Sequence, residues 1–253
     1  MIDTHCHLTD PRLACQLEAV LSRAAAAGVR RMVTIGTKPE DWEPALAITR
    51  NHPNVRCALG VHPNHTHEVE LEALAVLRGL QAEGGALAVG ETGLDYHHEF
   101  APRKRQAEFF ELHLQMAAEL NRPVVIHCRE AVEDCLAILG AQPRVRAVFH
   151  CFTGTPGEAK RIVEAGYYLG FTGVLTFRNT EGLRQAAKAA PGDRILVETD
   201  APYLSPEPMR KQKVNEPAGV MHTAAALAAV RGVDLAAIDD LTTANATNFY
   251  GWD

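Results

Sequence analysis

The chain lacks any apolar run approaching the roughly 20 residues that cross a bilayer, and Asp3 stands where a secretion signal would need positive charge. Both absences point to a cytoplasmic protein working off the membrane. Its six cysteines (Cys6, Cys15, Cys57, Cys128, Cys135 and Cys151) include no C-x-x-C pair, so neither a zinc knuckle nor a dithiol redox motif is indicated. Cys6, Cys128 and Cys151, each beside a candidate ligand histidine, read best as small buried hydrophobes. No low-complexity linker, composition shift or internal repeat divides the sequence, and a single domain over residues 1–253 is expected. Net positive charge is also missing. The formal charge of −6 does not favour a polyanion, so nucleic acid would have to be met by local clusters. The densest are Arg103-Lys104-Arg105 and Arg210-Lys211-Gln212-Lys213. A solvated helix face explains the first equally well, whereas the second lies in a proline- and charge-rich loop.

What is present is alternation. Short β-like runs near residues 2–7, 31–36, 55–61, 86–91, 123–127, 146–150, 167–171 and 194–199 are separated by helical patterns, among them 13–27, 102–120 and 157–165. After Asp200 come a loop and two further helices, Pro217–Arg231 and 235–249. Strands alternating with helices argue for a parallel sheet with right-handed crossovers. An open doubly wound sheet shares that pattern, but metal-capable residues end the first, fourth, fifth, sixth and eighth runs. A closed barrel makes first and eighth strands neighbours and gathers all strand C-termini on one face. The expected fold is therefore a single (β/α)8 TIM-type barrel, and 253 residues fit its typical size of about 250.

Those strand ends carry the chemistry. His5 and His7 are two apart, so both rings face one side of a strand, where neutral imidazoles can chelate one divalent ion. Glu91 follows Ala86-Leu87-Ala88-Val89-Gly90, and its two carboxylate oxygens can bridge two cations. His127 and His150 each end an apolar run and could complete a second metal position. Asp200 would bind the first metal and take a proton from the attacking water. Glu198 faces the same side and can support it from behind. Two ions roughly 3.5–4 Å apart can activate water for phosphoryl hydrolysis. His62 in Gly60-Val61-His62-Pro63 reads as a substrate or phosphate contact, with a structural histidine as the alternative. Arg129 and Thr153-Gly154 offer donors to a phosphate. Asp95 reads as structural, bonding loop backbone or orienting a ligand.

Taken together, these segments resemble the TatD family of metal-dependent deoxyribonucleases, within the amidohydrolase-like barrels. The resemblance runs through Asp3-Thr4-His5-Cys6-His7-Leu8, Gly60-Val61-His62-Pro63, Gly90-Glu91-Thr92-Gly93-Leu94-Asp95-Tyr96 and Val125-Ile126-His127-Cys128-Arg129. It continues through Phe149-His150-Cys151-Phe152-Thr153-Gly154, Glu198-Thr199-Asp200-Ala201-Pro202-Tyr203-Leu204, Asn215-Glu216-Pro217-Ala218 and the segment 245–249. It implies a dinuclear hydrolase cleaving DNA phosphodiesters, often from the 3′ end, through a metal-bound water. By similarity His5, His7 and Asp200 hold one metal, His127 and His150 the other, Glu91 bridges, and His62 lies near the phosphate. Two departures stand out: Asn64 where many members have histidine, and Thr153 where serine is common.

The rival reading is an amidohydrolase-type reaction on a small ester, lactone, amide or phosphotriester. Many such barrels bridge their metals with a carboxylated lysine at the fourth strand. This chain has six lysines and none ends that strand; Glu91 stands there instead. A metal-binding scaffold without catalysis is the other alternative, and the intact ligand set argues against it. Histidine with carboxylate suits zinc, manganese or, less comfortably, magnesium, with two ions expected per subunit. If DNA is the substrate, the acidic total charge implies modest, salt-sensitive affinity and a preference for single-stranded or frayed 3′ ends. No obligate protein partner is implied.

Overall fold

The structure, a computed structural model, describes residues 1–82, 85–142 and 144–252. Among these, β1 (Ile2–Cys6) leads to α1 (Pro11–Ala14) and α2 (Leu17–Ala26), then β2 (Arg31–Gly36), α3 (Pro39–Asn51), β3 (Val55–Leu59), α4 (Ala73–Gln81) and β4 (Ala86–Asp95). There follow α5 (Arg103–Leu120), β5 (Val124–Arg129), α6 (Val132–Ala141), β6 (Ala147–Phe149), α7 (Pro156–Glu164), β7 (Tyr168–Phe171), α8 (Glu181–Ala189), β8 (Ile195–Val197), α9 (Val220–Arg231) and α10 (Leu235–Tyr250). The eight strands form one sheet in the order β1-β2-β3-β4-β5-β6-β7-β8, and a parallel bridge from Cys6 to Ala201 joins the first strand to the chain leaving the last. This is the expected (β/α)8 barrel. Among the described residues no single helix is long and apolar enough to cross a membrane.

The elements follow from local chemistry. Val124-Val125-Ile126 is a continuous buried apolar run, as a parallel strand covered on both faces requires. Helix α7 starts at a capping box: the Thr155 hydroxyl accepts the Glu158 N–H at 3.2 Å, and the Glu158 carboxylate accepts the Thr155 N–H at 2.6 Å. The helix expected over 13–27 is two helices. Asp10 caps an earlier start by accepting the Arg12 N–H at 2.9 Å, and Pro11 presets the first turn.

The chain divides into two compact units, Met1–Thr34 with Cys151–Asp253, and Ile35–His150. In the first, β1 and β8 are laced by buried polar groups. The Asp3 carboxylate accepts the Thr199 N–H at 2.9 Å and its hydroxyl at 2.6 Å. The Thr4 hydroxyl donates to Val197 O at 3.0 Å, and Tyr250 from α10 donates to Thr4 O at 3.0 Å. In the second unit, buried side chains bind the backbone of the strands and of the residues that follow them. Trp42 Nε1 donates to Gly60 O at 2.8 Å, and Gln81 Nε2 donates to Leu59 O at 2.8 Å and Ala88 O at 3.2 Å. Gln106 on α5 holds both sides of the Asp95 backbone, accepting its N–H at 2.8 Å and donating to its carbonyl at 3.1 Å.

Strand β4 departs most from expectation. Its expected end was Glu91, but it continues to Asp95, with Thr92, Gly93, Leu94 and Asp95 registered on Ile126, His127, Cys128 and Arg129 of β5. Gly90 and Gly93 allow the strand to continue. Both have positive φ, 129° and 135°, and a Cβ on Gly93 would meet the His127 carbonyl at 2.1 Å. Gly93→Ala is therefore expected to cost more than about 2 kcal/mol of stability. Chemical denaturation measures this, and a midpoint equal to that of the unaltered protein would remove the argument.

Candidate metal centre

In the first unit three expected ligands converge. His5 Nε2 and His7 Nε2 lie 3.3 Å apart, and Asp200 Oδ1 is 3.2 Å from His7 Nε2 and 3.7 Å from His5 Nε2. Two residues of strand spacing put both rings on one face. Asp200 is three residues beyond β8, brought back by its N–H to His5 O at 2.9 Å. It sits at φ 56°, in the left-handed region where aspartate is tolerated better than most side chains. Ligands at 2.0–2.1 Å from a tetrahedral ion are about 3.3 Å from one another, so these separations are those of a coordination shell. The donor set of two imidazoles and a carboxylate suits a divalent transition ion.

A second such group lies in the other unit, formed by His62, Glu91 and His127. Glu91 Oε1 is 3.0 Å from His127 Nδ1, 3.4 Å from His62 Nε2 and 3.6 Å from His150 Nε2. His62, expected at the phosphate, thus shares the carboxylate with the two expected ligands, its Nε2 3.1 Å from His127 Nδ1. Its other nitrogen accepts the Asn64 N–H at 3.1 Å, which fixes the ring. Burial, with His127 nearby, lowers His62 to about 4. Burial also works against a charged His127, but bonds to Asp95 and Glu91 outweigh it and raise that ring to about 9.

Asp95 has both of the roles that the sequence left open. It accepts the backbone N–H groups of His97 and His98 at 3.0 and 2.9 Å, and His127 Nε2 lies 3.1 Å from its Oδ2. A carboxylate behind one ring nitrogen turns the other toward the ligand group. Asn64, one of the two family departures, donates to the same carboxylate at 3.3 Å. Burial pushes the Asp95 carboxyl up, but the donors from His127 and His98 prevail and hold it well below the usual carboxylate range.

Glu198 supports the first unit by a different route. It is buried beneath Gly170, accepts the Cys151 N–H at 2.6 Å and takes the Thr4 hydroxyl at 3.3 Å. Arg129 ends β5 and Thr153 follows β6, both at exposed positions. Two supporting residues escaped the sequence reading. Asp3 had a visible signal, an acid two residues before His5 in an apolar strand; burial lifts its carboxyl to about 8. His113 had none, since a histidine inside a helix looks like any other.

His113 is fully buried on α5. Its Nδ1 lies 2.7 Å from Phe109 O, and its Nε2 accepts the N–H of Val61, the residue before His62, at 3.1 Å. That pattern requires a neutral ring, and burial lowers it to about 4 from 6.5. A lowered histidine stabilises the fold fully above its unfolded value and loses that contribution as pH falls toward the folded one. The unfolding free energy should drop by about 3 kcal/mol from this group between pH 6.5 and 4. His113→Gln should flatten that slope in denaturant titrations; parallel pH profiles for the two proteins would assign the effect elsewhere.

Fold and site together define a (β/α)8 barrel carrying ligand groups for divalent metal. The model of the family described as TatD related DNase matches residues 2–251, and the chain belongs to that family. It is 39% identical over 261 residues to the uncharacterized metal-dependent hydrolase YcfH of Escherichia coli strain K12, covering 100% of this chain and 96% of that one. It is 37% identical over 257 residues to the 3′-5′ ssDNA/RNA exonuclease TatD of Erwinia tasmaniensis, covering 99% of each. The crystal structure of YJJV, a TatD homolog from Escherichia coli K12, superposes with a TM-score of 0.94 at 29% identity, covering 100% of this chain and 98% of that one.

Proposed function

We propose that this protein is a divalent-metal-dependent hydrolase of DNA phosphodiester bonds, trimming single-stranded or frayed ends from 3′ to 5′. The observation that carries the reading is the pair of ligand groups, His5–His7–Asp200 and His62–Glu91–His127, each with donor atoms at coordination-shell separations. The exonuclease name of the Erwinia relative supports the substrate class.

His5, His7 and Asp200 would hold one ion. His127 and Glu91, with His150 and His62 beside them, would hold the other. Ions bound there supply Lewis acidity, polarising the phosphoryl oxygens and making water acidic at neutral pH. Asp200 accepts the proton released as water attacks phosphorus. Asp95 keeps His127 turned toward its group, and Glu198 holds the turn that follows His150. Arg129 and Thr153 are assigned to the substrate phosphates. The whole chain acts as a single catalytic domain. A cytoplasmic location belongs to the same reading.

The test is degradation of a 5′-labelled single-stranded oligonucleotide by metal-stripped protein supplied with manganese, magnesium or zinc. Asp200→Asn, purified identically, controls for contaminating nuclease. A metal-dependent ladder shortening from the 3′ end, absent in the variant, is expected. Equal activity in both preparations, or none with any metal, would transfer the assignment to a small ester or amide.

A further inference from the structure

The segment linking β4 to α5 places an exposed aromatic surface directly behind the second ligand group. Phe100 is 60% exposed, a cost that an isolated surface residue can carry without meaning. Here it is not isolated. Its ring stacks on His98 with centroids 5.5 Å apart and planes 20° from parallel. His98 Nδ1 is 2.9 Å from Asp95 Oδ2, the same oxygen that lies 3.1 Å from His127 Nε2. Phe100, His98, Asp95 and His127 thus form an unbroken line from the surface to the ligand group.

The same segment borders a cavity of about 460 Å³ lined by Asp95, Tyr96, His98, Phe100 and Arg103, a volume within the range of small-ligand sites. Its walls are pinned. The Tyr96 hydroxyl donates to Asp134 at 2.7 Å, the Arg103 guanidinium lies 3.9 Å over the Tyr96 ring, and Gln106 Nε2 donates to Ala101 O at 3.0 Å. Arg103 opens a first helical turn that contains Lys104 and Arg105 and no acid. Arg105 is occupied, bonding the Thr66 and Val69 carbonyls and Glu108. Glu99 also lines the cavity and repels phosphate from its side, which leaves the Arg103 side for the backbone of a polyanion.

We infer that this surface is a nucleobase subsite: one base of a single-stranded polynucleotide stacks on the Phe100–His98 face, and its backbone phosphate meets Arg103. A flat aromatic face beside a cation is how proteins take unpaired bases without reading their sequence. A duplex keeps its bases stacked on one another and cannot offer one, so the subsite favours single strands. The inference rests on the nuclease reading above and names the residues that select the strand.

The test is steady-state kinetics on a single-stranded oligothymidylate with manganese-loaded protein. Phe100→Ala should raise KM about tenfold, the scale of one lost base stack, with a smaller change in kcat, and Phe100→Trp should restore KM. Arg103→Ala should lower the dependence of log(kcat/KM) on log[salt] by about 0.7. An oligonucleotide abasic over its last residues should not distinguish Phe100→Ala from the unaltered protein. A nuclease whose KM is indifferent to Phe100→Ala overturns the subsite and leaves the nuclease reading standing. Hydrolysis of bis(p-nitrophenyl) phosphate with no cleavage of any oligonucleotide overturns the nuclease reading, and the subsite falls with it.

Discussion

Asp200→Asn should lower kcat on single-stranded DNA by about a thousandfold or more, the scale of losing a positioned proton acceptor, compounded by weaker metal binding. Asparagine has nearly the shape of aspartate and tolerates the left-handed backbone at φ 56°, so the fold should survive. The anionic oxygen that lies 3.2 Å from His7 Nε2 becomes neutral. It can no longer balance a divalent charge or take up a proton. Rates come from a labelled oligonucleotide at saturating metal, and thermal midpoints check the fold. A kcat within tenfold of the unaltered enzyme would remove Asp200 from the chemistry.

The second large effect is expected at Glu91. The residue is 2% exposed and presents Oε1 to three imidazoles, at 3.0, 3.4 and 3.6 Å. Glu91→Gln leaves those rings with an amide that can accept hydrogen bonds but carries no charge. Tight binding of a divalent ion in a buried site depends on such a charge. Metal analysis after dialysis should show tightly held metal falling from two equivalents per chain to one or none. Activity should fall by at least about a thousandfold, because polarisation of the phosphoryl group and activation of water both depend on the ions. Two retained equivalents with near-normal turnover would exclude Glu91 as a ligand. Metal removal from the unaltered protein should give the same loss, reversed by adding the ion back.

The Phe100 subsite explains how an acidic protein can hold a polyanion. Its net charge of −6 opposes DNA at long range, so affinity has to come from short-range stacking and single cations. Two strongly exposed aromatics among the described residues have that setting. One is Phe100. The other is Tyr203, 47% exposed, with Arg12 4.7 Å over its ring and His7 at 5.9 Å.

The alternation of buried apolar runs with amphipathic helices, and the ligand types at the ends of those runs, were determined by the sequence alone. Both are local: a strand buried on both faces must be continuously apolar, and an H-x-H pair on a strand must face one way. His5, His7, Glu91, His127 and Asp200 were legible as candidates for that reason. What depended on distance in space was not. Strand β4 stopped at residue 91 on paper, because only the carbonyls of β5 show how the glycines at 90 and 93 let it continue. The closeness of His62 to Glu91 and His127 was not legible, because nothing in its own segment reveals them within hydrogen-bonding reach. Asp3 and His113 act through partners 196 and 52 positions away, on Thr199 and Val61. Local periodicity selects the elements, but the direction in which a buried polar group spends its hydrogen bonds is decided only when the strands are laid side by side.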